Sequence, residues 1–338
     1  MNKKKLIWQL PFLILLIVGT VLIIRQQQSM PYMRNEGLVF GTTYHITYQC
    51  DSDLSASIKK ELEKVDTSLS PFNPNSIITA VNQNQDVVLN DMFLTVFKKA
   101  IAVSEDTEGA FDITVAPLVN AWGFGFKNGT RPDQHQVDSL LQIIGYKKVS
   151  LRNGKVVKAD PRMMLDCSAI AKGYGTQVIA DYLRNHGVKN FMVEIGGEIV
   201  TSGVNESRLP WKIGVTKPVD DPMMERHDMQ TVLNVTDKAM ATSGNYRNFY
   251  YEGGKKLAHT IDPQTGYPVQ HSLLSATVLA DDCALADAYA TSFMVMGLER
   301  AKKLLERHPE LMVYFIYSDG KGQNAVWFSP SLKDKIAE

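Results

Sequence analysis

Cysteine is scarce. The 338 residues contain three, Cys50, Cys167 and Cys283, with no C-x-x-C pair and no Cys/His cluster, which excludes the usual zinc frameworks. An oxidising compartment would allow one disulfide, and Cys167 with Cys283 is the pairing to expect, since both lie in segments expected to converge. Two buried thiols is the plainer reading. An excess of positive charge is also missing: Lys plus Arg equals Asp plus Glu, 36 each, so no broad basic surface speaks for nucleic acid. A phosphate ligand must then be held locally. No fixed-period repeat and no low-complexity segment is present. A strand at 191–195 runs into Gly196-Gly197, but without the G-x-G-x-x-G spacing and the following helix of a dinucleotide fold.

Long apolar runs are absent except at the N-terminus. Lys3, Lys4 and Lys5 precede an almost wholly apolar stretch, Leu6 to Ile24, closed by Arg25. At about 1.5 Å per residue that stretch nearly spans a bilayer core. No small-residue cleavage site follows, and no cysteine that could take a lipid. The expectation is a single N-terminal transmembrane helix acting as an uncleaved signal anchor. Residues 1–30 are then a cytoplasmic tip and anchor in the inner (cytoplasmic) membrane. Residues 31–338 then form one domain on the exported, periplasmic side, because the lysines stay inside.

Beyond the run, residues 25–36 read as a polar tether and Gly37 to Tyr48 as a first strand. Leu54, Ile58, Leu62, Val65 and Leu69 keep helical spacing, so 53–69 is an amphipathic helix; Phe93, Val96, Phe97, Ala100 and Val103 mark another. Asn153-Gly154 between two apolar runs predicts a hairpin. Met163 to Leu165 reads as a short buried strand feeding a helix that Gly187 stops. Strands are then expected at 191–195, 198–203, 211–215, 231–236, 248–252, 257–261 and 273–280. Helices at 284–296 and 298–307 follow, with strands near 311–317 and 325–328. Helices and strands do not alternate, which favours an α+β domain with a largely antiparallel sheet.

Several segments set small residues beside chemistry. Asp287 and Thr291 lie four apart, on one face of a helix, and a carboxylate with a hydroxyl suits a hard cation such as Mg²⁺. Asp166 sits where a strand meets a helix that Ser168 would open, with Lys172 in its first turn. Such a helix end favours anions, Lys172 adds a point charge for phosphate, and a turn carbonyl such as that of Ala169 can face a metal. Thr242-Ser243-Gly244 offers two hydroxyls and close backbone approach. His259, on a strand leading to Asp262-Pro263, can take a proton from an attacking hydroxyl. Gly109-Ala-Phe-Asp112 and Trp122-Gly-Phe124 put an acid and aromatics beside glycines, able to face a flat ring. Each alone is equally an ordinary cap, strand or core residue.

Taken in order, these blocks resemble the ApbE family of FAD:protein FMN transferases. The resemblance rests on Gly109 to Pro117 with Trp122-Gly-Phe124, Leu165-Asp166 through Tyr174, Glu194-Ile-Gly-Gly197, Ala241 through Arg247, His259 through Gly266, and Cys283 with Ala286 through Thr291. It implies an ApbE-like, T-fold-related catalytic domain. It also implies Mg²⁺-dependent transfer of the FMN half of FAD to a threonine hydroxyl on an acceptor protein, with release of AMP. The acceptor expected is a redox-complex subunit. Mg²⁺ would be held by Ala169, Asp287 and Thr291. FAD would be contacted by Phe40, Phe72, Ala110, Phe111, Asp112, Asp166, Lys172, Thr242, Ser243, His259 and Ile261, with His259 and Asp287 as catalytic residues. Two departures stand out: Phe72 replaces the family's commoner Tyr, and Asn75 to Asn82 lacks the usual acid. The alternatives are an FAD pyrophosphatase, with water replacing threonine, and a flavin-binding protein without turnover.

Overall fold

The computed structural model describes residues 11–21, 30–125, 131–218, 229–245, 249–252, 255–321 and 323–337. Residues 11–21 are helical and largely exposed. Among the described residues no helix is long and apolar enough to cross a membrane. The rest of the apolar run, on which the anchor expectation falls, lies outside the described residues.

The strands, in chain order, are β1 (Tyr32–Val39), β2 (Thr42–Gln49), β3 (Val149–Arg152), β4 (Lys155–Lys158), β5 (Phe191–Ile195), β6 (Glu198–Ser202) and β7 (Trp211–Thr216). They continue with β8 (Met229–Val235), β9 (Ala239–Gly244), β10 (Phe249–Glu252), β11 (Lys255–Ala258), β12 (Leu273–Ala280), β13 (Met312–Ser318) and β14 (Asn324–Phe328). Eight of them form one sheet in the order β1-β2-β5-β6-β9-β12-β13-β14. Every pairing in it is antiparallel.

Along β6, β9, β12 and β13 successive side chains go to opposite faces, and both faces are covered. Val200, Ala239, Ala241, Val278, Val313 and Phe315 pack into the layer built from the helices Ser55–Leu69, Asp91–Asp106, Ala171–Asn185 and Cys283–Met296. Ile199, Met240, Leu279, Tyr314 and Ile316 pack instead against the β7–β8 hairpin through Ile213, Val215, Leu233 and Val235. That is why the central strands read as near-continuous apolar runs while β14 alternates.

The expected tether and first strand need correction. Residues 32–49 are a β1–β2 hairpin, and strand structure already begins at Tyr32. Its turn is Phe40-Gly41, with φ of 52° and 74°. Two consecutive positive φ values match the right-handed twist of a hairpin. The phenylalanine at the first position hid this turn from the sequence, because bulky residues rarely adopt it. Its ring lies over Gly175, where a Cβ would come within 2.6 Å of Phe40 Cε2. The Asn153-Gly154 hairpin forms as expected, β3 with β4, at φ 50° and 73°.

Met163 to Leu165 is not a strand. Met163 and Leu165 are buried, but the Leu165 N–H donates to Asn82 Oδ1 at 2.7 Å and its carbonyl accepts from Asn82 Nδ2 at 2.9 Å. A side chain thus takes the place of a neighbouring strand. Residues 168–170 form a turn, and the helix starts at Ala171 rather than Ser168. Cys167 and Cys283 are both buried free thiols.

The helix Cys283–Met296 is buried almost all round, with Ala284, Ala286, Ala288 and Ala290 fully enclosed. Asp282 caps its first turn by accepting from Leu285 N. It meets the helix Ala171–Asn185 at Gly173, where a Cβ would fall 2.3 Å from the Cys283 carbonyl oxygen and 2.7 Å from Asp287 Cβ. Gly173→Ala is therefore expected to cost about 1–3 kcal/mol through overpacking. Urea unfolding measures this, and a stability equal to the parent protein would contradict the close crossing.

Candidate active site

Around that crossing lies a cleft of about 380 Å³. Distant parts of the chain supply its wall. The 70–76 loop brings Phe72, and the segment before the short helix Ala116–Ala121 brings Ala110, Phe111 and Asp112. The turn into the helix Ala171–Asn185 brings Asp166, Ser168, Ala169 and Lys172; the end of β9 brings Thr242 and Ser243. The bend after β11 brings His259 and Ile261, and the helix Cys283–Met296 brings Asp287 and Thr291. Each site residue that the family resemblance implies lies here except Phe40. Phe40 lines an adjoining pocket of about 670 Å³, whose wall shares Phe72, Ser168 and Lys172 with the cleft. Phe72 stands 71% exposed between the two.

Helical spacing places Asp287 and Thr291 on the cleft side of one helix. Asp287 is 3% exposed, and its Oδ2 accepts from the Gly173 N–H at 3.0 Å. Burial pushes its carboxyl above the usual carboxylate range, against the pull of Lys172. Thr291 Oγ1 lies 3.1 Å from Ser243 Oγ. Thr242 pairs across the strands with Thr277, hydroxyl to hydroxyl at 2.9 Å. Asp166 accepts from Ser168 N at 2.7 Å, and its dense surroundings raise its pKa.

Asp112 has both oxygens engaged. Oδ1 accepts from the N–H and hydroxyl of Thr114, and Oδ2 from Tyr146 N at 2.8 Å. This carboxylate ties its own turn to the Gly145-Tyr146 corner, so it shapes the wall; burial raises its pKa despite those bonds. Trp122 is core and donates to the Gly266 carbonyl at 2.8 Å, while Phe124 faces the cleft, its ring 6.4 Å from that of His259. His259 is not in a strand as expected. β11 ends at Ala258, and the chain bends into the tight 262–267 loop, closed by hydrogen bonds between Asp262 and Tyr267 and between Gly266 and Asp262.

Sequence reasoning missed Glu198. It opens β6, is 3% exposed, and pairs with Lys172 through Nζ and Oε1. The available signal was a lone charged residue heading the run Glu-Ile-Val-Thr-Ser. Burial raises the Glu198 pKa against the pull of Lys172, and Asp287 raises it further. Burial alone would lower the Lys172 ammonium, but Glu198 and then Asp287 outweigh it and hold it above the ordinary lysine range.

Among the described residues lining the cleft, the carboxylates of Asp112, Asp166, Glu198 and Asp287 face one ammonium, that of Lys172. Such a wall repels a diphosphate unless a cation joins it. Asp287, Thr291 and the Ala169 carbonyl are all-oxygen donors of the kind a hard cation takes, so the residues fit one. Among the described residues there is no group of three or more His, Cys, Asp or Glu that could hold a metal, so such a site would rest on a single carboxylate, a hydroxyl and a carbonyl.

Fold and cleft together define an antiparallel-sheet domain with an acid-walled pocket where helix ends meet. A model of the ApbE family matches residues 40–315, and the chain belongs to that family. The FAD:protein FMN transferase of Vibrio cholerae is 39% identical over 292 residues, covering 82% of this chain and 86% of that one. The protein of the same name from Escherichia coli K12 is 32% identical over 312 residues, covering 88% and 87%. Among solved structures, the flavin transferase ApbE from Vibrio cholerae is similar with a TM-score of 0.81 at 35% identity, covering 90% of this chain and 99% of that one. The apo form of flavinyl transferase ApbE from Pseudomonas stutzeri has a TM-score of 0.81 at 27% identity, covering 90% and 97%.

Because burial raises the Asp287 pKa in the folded state, its ionised form opposes folding. That penalty is absent below the unfolded carboxyl value of about 4 and grows as pH rises through the folded value. Asp287→Asn in EDTA is expected to melt above the parent protein at pH 7.5, with the gap closing towards pH 4. A lower melting temperature at pH 7.5 would contradict the assignment.

Proposed function

We propose that this ApbE-family transferase moves the FMN half of FAD onto a threonine hydroxyl of an acceptor protein and releases AMP. The acceptor hydroxyl oxygen forms a bond to the FMN phosphorus. The bond from that phosphorus to the bridging oxygen breaks, and the hydroxyl proton leaves to a base. The observation that carries the reading is the meeting of Ala169, Lys172, Asp287 and Thr291 in one cleft, from two helices far apart in the chain and the turn before one of them.

Ala169, Asp287 and Thr291 would hold Mg²⁺. Bound there, the ion would supply charge neutralisation at the diphosphate, which phosphoryl transfer needs more than covalent help. Lys172 adds a fixed positive charge for the same oxygens. His259 accepts the proton of the attacking hydroxyl or steadies the diphosphate. Phe40 and Phe72 offer apolar faces for the flavin ring, and the hydroxyl bond of the family's commoner Tyr is lost at Phe72. Asp166, the 110–112 segment, Thr242, Ser243 and Ile261 complete the contacts to FAD.

The apolar run at 6–24 and the lysines before it support an N-terminal anchor that holds the domain on the exported side, beside redox-complex acceptors. Membrane fractionation with the mass of the mature chain tests this. The expected result is a membrane-bound protein that keeps residues 1–30, and a soluble chain lacking them would contradict it.

For the chemistry, incubation of the protein with FAD, Mg²⁺ and a threonine-bearing acceptor is expected to give a fluorescent acceptor band and AMP. Asp287→Ala should lose transfer by at least about 100-fold while keeping its fold. His259→Ala should slow transfer more than it weakens FAD binding. AMP release without acceptor would favour the pyrophosphatase reading. FAD that stays intact under every condition would leave only a binding protein.

A further inference from the structure

Glu198 is a charged residue of the cleft to which the proposed contacts give no task. It follows the Gly196-Gly197 turn, where Gly197 N is fixed by Glu194 Oε1 at 2.9 Å. It opens a strand paired on both sides, to β5 and β9. Its carboxylate therefore projects from a rigid support. Oε1 meets Lys172 Nζ, and among the described residues Oε2 finds no hydrogen-bond partner.

Stability alone does not explain such a residue. A buried carboxylate with half its accepting capacity empty opposes folding, and an apolar side chain would fill the space better. Lys172 gives the pair a purpose. Its side chain is 32% exposed, long and flexible, and it stands where the cleft and the adjoining pocket share a wall. Without an anion beside it, burial would favour the neutral amine.

We propose that Glu198 is a positioning residue for flavin transfer, holding the Lys172 ammonium charged and in place at the cleft wall where the donor's diphosphate arrives. This rests on the reading that Lys172 meets that diphosphate. Lys172 then needs no reorganisation when negative charge builds on the leaving phosphate, which is the condition for strong electrostatic help.

Two measurements on the full chain test it. The first is trace acetylation of Lys172 at pH 8 in EDTA, read by peptide mass spectrometry. Loss of the carboxylate in E198Q should free the neutral amine, and Lys172 should react about tenfold faster, the change that one pKa unit gives. An unchanged rate overturns the proposal. The second is steady-state transfer by E198Q, K172M and the double variant. E198Q should lower kcat about tenfold with the KM for FAD within about twofold, the signature of help given mainly in the transition state. The double variant should lose no more than K172M alone, because both changes remove one device.

Losses that multiply, or an E198Q kcat equal to the parent's, overturn the inference and leave the proposed function standing. A parent protein that never releases AMP from FAD overturns both. If E198Q does not fold, E198D, one methylene short of Lys172, carries both measurements with the same expected directions.

Discussion

The close crossing of two helices at Gly173 is the constraint on which the site depends. One helix brings Lys172 and the turn before it; the other brings Asp287 and Thr291. They touch so closely that the Gly173 N–H donates directly to the Asp287 carboxylate, 114 residues away in the chain. Any side chain at 173 would separate them. The alanines of the helix Cys283–Met296 serve the same end, because a helix enclosed on all sides needs small residues wherever a neighbour approaches. The antiparallel sheet is the floor that holds both helices. β9 presents Ser243 to Thr291, and β6 presents Glu198 to Lys172.

Electrostatics explains why this wall is built against its own stability. Asp112, Asp166, Glu198 and Asp287 all have pKa values raised by burial, so each is held where its charged form is disfavoured. A protein selected for stability alone would replace them. Perturbed carboxylates gathered in one cleft mark a candidate functional site, where a bound cation would relieve the strain. Asp112 and Asp166 spend their oxygens at least in part on nearby backbone, whereas Asp287 and Glu198 answer to Lys172 and to the helix crossing.

Much of this was legible in the sequence, for identifiable reasons. Strands such as β5 and β12 and the helix Ser55–Leu69 follow from apolar periodicity, which reports burial directly. The four-residue spacing of Asp287 and Thr291 is enough to put them on one helix face. The β1–β2 turn was hidden because a phenylalanine occupies a left-handed position that glycine or asparagine usually signals. Met163 to Leu165 looked like a strand because it is buried, but its backbone is paired by the Asn82 side chain, a long-range partner that local pattern does not reveal. β9 escaped notice because its small residues, Ala239 to Gly244, carry little β propensity and owe their strand to the neighbours on either side. Glu198 was passed over because an acid at a strand start ordinarily faces water, and only the fold shows that Lys172 meets it there.

The proposed chemistry requires a shared point, where the carboxylate of Asp287, the hydroxyl of Thr291 and the carbonyl of Ala169 would hold one cation with a diphosphate against it. The most direct measurement is the anomalous signal of Mn²⁺ in crystals grown with ADP. The expected result is a peak in coordination contact with those three oxygens and with a phosphate oxygen. Diphosphate bound in the cleft with the Mn²⁺ peak elsewhere, or with none, would contradict it.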